Sequence, residues 1–415
     1  MAVLFTSLQL ITDKEINKPA DYFYNNGKIV PANGQQEAVE TIDCSGLYAS
    51  QGWVDLKCFN GEPGLEHKED LQSLNECLAH SGFVKAVLLP NTLPSVQSKN
   101  EVEFIRNKCK DFFSDIVIQA SVTVNNQGED LTEILDLHHH GVKVFGDGLN
   151  PISNSDRLMK VLQYLQKFDG ILFDHSYDPL LALFGQMHEG IVSTQLGLKG
   201  IPALAEEVAV QKNIEILRYA GGNIHFQTIS TARTVALIRE AKKEGLSVTA
   251  DVSLYQLIFS ENDLVTFDTN MKAEPPFRGE LDRSALIEGL NDGTIDAIVS
   301  NHRPHDSDSK HIEFDYAGAG MVGLQTFLPA LVKLSEDISW PVLIDKITHG
   351  PQGVLGIIPG NEGLNSMTIF DPGEEWVYDR KSNKSSSSNS PWWEKQLTGK
   401  VKFVVNGTKF LRFDK

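Results

Sequence analysis

Between Ser50 and about Gly320 the chain repeats one theme eight times: a short apolar run, a polar loop, then an amphipathic stretch with helical spacing. The strand-like runs cover 53–59, 83–90, 114–124, 141–146, 170–175, 222–229, 246–253 and 294–302. Helical periods occupy 101–113, 155–168, 201–221 and 231–245, among others. Strands separated by helices pair in parallel, and a parallel sheet must be covered on its faces. Eight such units predict an α/β fold, a TIM-type (β/α)8 barrel. In that architecture the chemistry gathers at the C-terminal ends of the strands and in the loops that follow them.

The flanks follow a different rule. Residues 1–48 and 355–415 carry short alternating stretches such as LQLIT, GKIV, MTIFD and KVKFVVNGTKF, separated by turns. They predict a small β-sandwich domain built from both termini, with 49–354 as the barrel domain. The serine-rich segment KSNKSSSSNSPWW (381–393) interrupts the second flank and is expected to be a mobile surface loop.

Charge narrows the functional classes. With 55 acidic and 37 basic residues the net charge is −18, which repels nucleic-acid phosphates and anionic membranes, so neither is an expected partner. The surplus is read as a solvated surface. Cys44, Cys58, Cys77 and Cys109 form no CxxC pair and are too few for a disulfide framework. A reducing compartment is expected. The N-terminal stretch has no basic segment followed by a long apolar run, and the chain is read as cytoplasmic.

Seven segments, in order, carry a resemblance: QGWVDLKCFNGEPGLEHKEDL (51–71), PNTLP (90–94), QLGLKGIPALAEE (195–207), STARTVALIREAKKEGLSVTADV (230–252), MKAEPPFRGELDRSAL (271–286), DGTIDAIVSNHRPH (292–305) and KHIEFDYAGAGMVGL (310–324). Together they are similar to the dihydroorotase branch of the amidohydrolase superfamily, near the allantoinases and dihydropyrimidinases. The resemblance implies a barrel of the metal-dependent hydrolase kind. It also implies a reaction, the interconversion of dihydroorotate and carbamoyl aspartate in pyrimidine biosynthesis, run on one or two zinc ions. An unactivated amide needs such a Lewis acid, and the attacking water must have its pKa brought towards neutrality.

The positions to which the family assigns that chemistry hold other residues. Where it has His-x-His and then an arginine after the first strand, this chain has Lys57, Phe59 and Gly61. A lysine ammonium repels a divalent cation and a phenyl ring offers no lone pair. Cys58 is read as a buried packing residue. Thr228 stands where a zinc-binding histidine belongs, and Asn301 stands at the position of the catalytic aspartate; an amide cannot take up a proton near neutral pH. Arg303 adds positive charge to the same loop. Lys143 and Asp147, at the end of the fourth run, and His175, at the fifth, are retained candidates for a metal. His225, three residues before Thr228, is read as a packing histidine on the opposite face of its strand. His138, His139 and His140 are expected at the surface. Asn91 and His305 match positions that hold the substrate carboxylate, and with Lys272 and Arg278 they make the candidate substrate cleft.

These substitutions favour a catalytically inactive dihydroorotase homologue, a pseudoenzyme with no cofactor of its own. Its role would be structural or regulatory; the resemblance suggests aspartate transcarbamoylase as partner, or a homo-oligomer. Two alternatives stay open. One is an active cyclic amide hydrolase, of dihydroorotase, allantoinase or hydantoinase type, working without metal or on one ion held by His175, Asp147, Lys143 and His302. The other is a sensor of an anionic metabolite built from Asn91, Lys143, Lys272, Arg278 and His305, with Lys57 and Arg303 adding charge.

Overall fold

The structure is a computed structural model and describes residues 2–34, 37–357 and 364–413. Eight parallel strands follow one another in space in chain order: β1 (Trp53–Cys58), β2 (Phe83–Leu88), β3 (Asp115–Ala120), β4 (Val144–Phe145), β5 (Ile171–Asp174), β6 (Asn223–Phe226), β7 (Val248–Ser253) and β8 (Ala297–Val299). Just beyond β8, a parallel bridge between Cys58 and His302 and the hydrogen bond from Phe59 N to His302 O (2.9 Å) bring β8 back to β1. The expected TIM-type barrel is therefore present. Its interior is filled by Val54, Leu56, Val87, Val144, Phe173, Ala297 and Val299, all buried, so it is a packed core and not a pore.

Helices cover the outside because their apolar residues fall on one face. In α1 (Leu71–His80) the buried leucines are Leu71, Leu74 and Leu78. In the helix Ser155–Leu165 the buried set is Leu158, Val161, Leu162 and Leu165. Each such side chain contributes about 1.5–3 kcal/mol on leaving water. The helix starts are fixed locally: Asp70 caps α1 by accepting from Ser73 N (2.8 Å), and Ser98 with Glu101 forms a capping box on α2 (Lys99–Cys109).

Both chain ends build the second sheet. Ala2–Leu10 pairs antiparallel with Ala20–Asn25 and parallel with Glu40–Asp43 through its first half, and with Tyr48–Ser50 through its last residues. Tyr48–Ser50 in turn pairs with Ser366–Tyr378, which continues to Lys395–Asn406 and Lys409–Arg412. The strand changes partners at Ser7, whose φ of 57° marks a bulge between Phe5 and Leu8. Among the described residues no helix is long and apolar enough to cross a membrane.

The serine-rich segment corrects the expectation of a mobile surface loop. It runs from the end of Ser366–Tyr378 back across the mouth of the barrel and is packed there: Ser387, Asn389 and Ser390 are buried. Ser385 Oγ donates to Glu69 Oε2, Ser386 N donates to Glu69 Oε1 (3.1 Å), and Ser387 Oγ donates to Lys68 O (2.6 Å). Glu69 is itself fully buried, and an unpaired buried carboxylate is costly; the serine hydroxyls and amides supply its donors.

Candidate functional site

The barrel mouth is organised around Lys57. The register of β1 against β2 shifts between Asp55 and Cys58, which breaks strict alternation. Lys57 is 1 % exposed, and its Nζ donates to Thr228 Oγ1 at 2.7 Å. Burial, set against the neighbouring charges of Asp251 and Glu274, brings the lysine pKa down to about 8, so the ammonium still predominates at neutral pH. Phe59 is buried beside it with no polar group to offer.

Thr228 follows β6 with a φ of 49°, an unusual conformation for a β-branched residue. Its amide donates to Asp251 Oδ1 at 2.6 Å and anchors the turn. Asp251 Oδ2 lies 2.8 Å from His225 Nε2, and His225 Nδ1 lies 2.8 Å from Thr249 Oγ1. His225 is thus a fully partnered packing residue, but not on the face expected for it. It lies inside the barrel, its ring 4.6 Å from that of Phe173, because the left-handed turn at Thr228 spoils counting back by twos.

The other side of the mouth holds an ion pair. Arg303 Nη1 donates to Glu274 Oε2 at 2.7 Å, and Asn301 Nδ2 donates to Glu274 O at 3.2 Å. Burial alone would raise the Glu274 carboxyl; the charges beside it, Arg303 foremost, hold it below its ordinary value. His175 Nδ1 sits 3.4 Å from Thr228 Oγ1. Burial, with Lys57 adding to it, pushes His175 down to about 3, so its imidazole is neutral. The space enclosed by His175, Tyr177, Gln227, Thr228, Glu274 and Ile201 is about 50 Å³. That is room for about three or four waters, against roughly 300–1,000 Å³ for small-molecule sites.

Zinc does not fit this donor set. Lys57 and Thr228, from the positions where the resemblance calls for histidines, meet each other; the pair presents an ammonium and a hydroxyl. The retained candidates do not converge. Asp147 is taken up by Val122 N and Thr123 N, each at 3.0 Å, and by Thr123 Oγ1; burial raises its carboxyl to about 6 despite these donors. His302 Nδ1 accepts from Gly323 N (3.2 Å), and its Nε2 faces Glu69 Oε2 at 3.4 Å. Lys143 is exposed at the opposite end of the barrel, among the N-terminal ends of β3, β5 and β6, which corrects its reading as a metal-bridging candidate. A two-residue β4 leaves it before the strand, not after it. Among the described residues, no three His, Cys, Asp or Glu side chains group so as to hold a metal.

The candidate substrate residues are all tied to the protein itself. Asn91 Nδ2 donates to Asp147 O and Asn150 Oδ1, each at 3.1 Å, and its Oδ1 accepts from Leu149 N at 2.9 Å. Gly148 (φ 63°) is required there, since an added Cβ would meet Asn91 Oδ1 at 1.9 Å. Lys272 Nζ donates to Gln186 Oε1 (2.5 Å), Phe314 O (2.8 Å) and Asp315 O (3.0 Å). Arg278 is 3 % exposed and donates to Ser230 Oγ and Ile201 O, each at 3.0 Å. His305 Nε2 donates to Ala319 O at 2.9 Å, and its backbone N donates to Asn389 Oδ1 at 2.9 Å. The cationic cleft drawn from Asn91, Lys143, Lys272, Arg278 and His305 is therefore not assembled.

Sequence reasoning overlooked Glu69 and Asn389. Asn389 accepts from His305 N and donates to Arg303 O (3.2 Å) and Gly320 O (3.1 Å), so one side chain of the serine-rich segment fastens the loop after β8. The available signal was the Pro391-Trp392-Trp393 run that ends the segment. Trp392 packs 5.6 Å from Tyr255 and 5.3 Å from Phe259, and Trp393 lies 5.4 Å from Tyr378. Two adjacent tryptophans mark an anchored segment.

Comparison with known proteins agrees with this architecture. Residues 49–234 match the family described as Dihydro-orotase-like. The chain is 35% identical over 391 residues to the dihydroorotase of Syntrophus aciditrophicus, covering 92% of each chain. It is 37% identical over 382 residues to that of Ruminiclostridium cellulolyticum, covering 90% of this chain and 89% of the relative. Among solved structures, the L-hydantoinase (dihydropyrimidinase) of Arthrobacter aurescens superposes with a TM-score of 0.87 at 20% identity, over 99% of this chain and 96% of the other. The dihydropyrimidinase of Brevibacillus agri gives 0.83 at 17%, over 100% and 96%. At those identities the likeness is one of fold.

Proposed function

The chain belongs to the dihydroorotase-like family, and on that premise we propose that it is a homologue that does not open cyclic amides on a metal. Its role is structural or regulatory, within pyrimidine biosynthesis and in complex with a protein partner: aspartate transcarbamoylase, or further copies of itself. The observation that carries this reading is the 2.7 Å contact between Lys57 Nζ and Thr228 Oγ1. Lys57 and Thr228 stand at the sequence positions where the resemblance puts zinc-binding histidines, and the ammonium that joins them cannot bind and activate water as a metal ion would. Asn301 offers no base beside it, and the enclosed space is a fraction of that of a substrate site.

The opposing reading, an active dihydroorotase or related cyclic amide hydrolase, draws on the names of relatives that match nine tenths of the chain. The two are separated by metal analysis of the purified protein together with a dihydroorotate ring-opening assay in added zinc. The proposal expects substoichiometric zinc and no turnover. Stoichiometric zinc with turnover would overturn it. The partner is tested by light scattering of this chain mixed with aspartate transcarbamoylase at micromolar concentration; absence of any hetero- or homo-complex would remove the assigned role.

A further inference from the structure

The barrel has a second concave surface, at the end opposite the mouth. It is a groove of about 510 Å³ between the C-terminal end of α2, the starts of β3 and β4, and the Leu355–Ile357 turn. Its size falls within the range of roughly 300–1,000 Å³ of small-molecule sites. A second hollow of about 290 Å³ shares Lys143, Val144, Leu355 and Gly356 with it.

The charge of this groove runs against that of the chain. Acidic residues outnumber basic ones 55 to 37 overall, yet among the described residues the groove is lined by Arg106, Lys110, Lys143 and Lys409 and by a single acid, Asp115. That acid is already paired with Lys85, at 3.1 Å. Arg106 donates to His140 O and Lys409 donates to Phe112 O, both neutral carbonyls. Lys110 and Lys143 have no hydrogen-bond or ion-pair partner among the described residues. Like charges gathered in one concavity repel one another and gain from a shared counter-anion; a concave wall focuses that field. Phe112 and Leu355 give the same groove an apolar wall.

We propose that this groove binds an organic phosphate of nucleotide size, its phosphates between Lys110, Lys143, Arg106 and Lys409 and its uncharged part against Phe112 and Leu355. The site is separate from the barrel mouth, and the inference does not depend on whether the mouth is catalytic.

The test is calorimetric titration of the full chain with ADP and with inorganic pyrophosphate at about 0.15 M ionic strength, where charges beyond roughly 8 Å are screened. The expected result is saturable ADP binding with a Kd of about 1 mM or tighter, and weaker binding of pyrophosphate, which lacks the apolar part. The double variant Lys110→Glu/Lys143→Glu should weaken ADP by at least about tenfold, and Lys110→Gln/Lys143→Gln by a smaller factor in the same direction. Lys99→Glu/Lys333→Glu, an equal change of charge on exposed side chains outside the groove, should leave it within about twofold. No saturation by either probe, or equal losses in the groove and control variants, would overturn the site. Equal affinities for ADP and pyrophosphate would overturn its organic half.

Discussion

Lys57 Nζ lies 2.7 Å from Thr228 Oγ1, joining the first barrel strand to the turn after the sixth across the mouth. The contact holds a charged amine in a site with 1 % exposure, and its main electrostatic compensation comes from Asp251 and Glu274. Cost and compensation are coupled through the protonation state of one nitrogen, so the contact has a pH signature.

Lys57 falls from 10.5 in the unfolded chain to about 8 in the fold. Between these values the unfolded state binds more protons, so this group's contribution makes stability rise with pH across 8–10.5. Lys57→Met removes that contribution. The stability difference, wild type minus Lys57→Met, should therefore grow by roughly 2–4 kcal/mol between pH 7.5 and 10.5. Urea unfolding of both proteins at the two pH values measures it. Reading the difference cancels the buried cysteines and Tyr255, whose raised values act in the opposite direction. A constant difference would mean that the amine is not buried as described.

The acid side has its own marker. Burial, with Arg303 beside it, pushes His305 down to about 3 from 6.5. Over that interval the unfolded chain takes up a proton that the fold refuses, so stability falls as pH drops below 6.5. His305→Gln keeps an amide donor for Ala319 O and removes the titration. Relative to wild type the variant should gain roughly 1.4 kcal/mol for each pH unit below 6.5. Asp55 and Asp147, both raised to about 6, oppose this trend between 3.8 and 6 in both proteins and drop out of the comparison.

Asn389 gives a prediction about the serine-rich segment. Its buried amide serves His305 N, Arg303 O and Gly320 O together. Asn389→Ala leaves these groups short of a partner, at about 1–3 kcal/mol for each one left buried and unsatisfied. The urea midpoint should fall accordingly, and amides of 301–305 and 320–322 should exchange hydrogen faster while those of β3 and β4 do not. Unchanged exchange at 301–305 would show that the segment does not fasten the loop.

The barrel was legible because its signal is local and repeated: apolar runs and helical periods at each of eight units. The mouth was legible only in part. Lys57, Thr228 and Asn301 could be placed by position along the chain, since each follows or ends a strand. The partners of Asn91, Lys272 and Arg278 could not, because those hydrogen bonds join residues 42 to 90 positions apart and depend on how the loops fold back. Lys143 was misplaced because alternation tells which face a side chain takes but not which end of a two-residue strand it stands at. The serine-rich segment was misread because its composition is polar while its role is set by Glu69, a buried carboxylate more than 300 residues away in sequence.

Rebuilding the donor set tests the mouth itself. Lys57→His, Phe59→His, Thr228→His and Asn301→Asp, combined, replace an ammonium, a phenyl, a hydroxyl and an amide with three imidazoles and a carboxylate. The backbone favours one change and tolerates another: Thr228 and Asn301 have φ of 49° and 46°, a region that His enters more readily than a β-branched residue and that Asp, like Asn, can occupy. Removing Lys57 also takes away one of the cations that offset Asp251 and Glu274, although Glu274 keeps Arg303, and this favours uptake of a new one. The quadruple variant should retain about one equivalent of zinc through desalting, because four convergent N and O donors satisfy a tetrahedral ion. The wild-type chain should retain less than a tenth of that under the same treatment. Zinc in the variant should also raise its thermal midpoint, by the linkage of binding to folding. A variant that folds but takes up no zinc would show that the first, sixth and eighth strands no longer meet in the arrangement the substitutions assume.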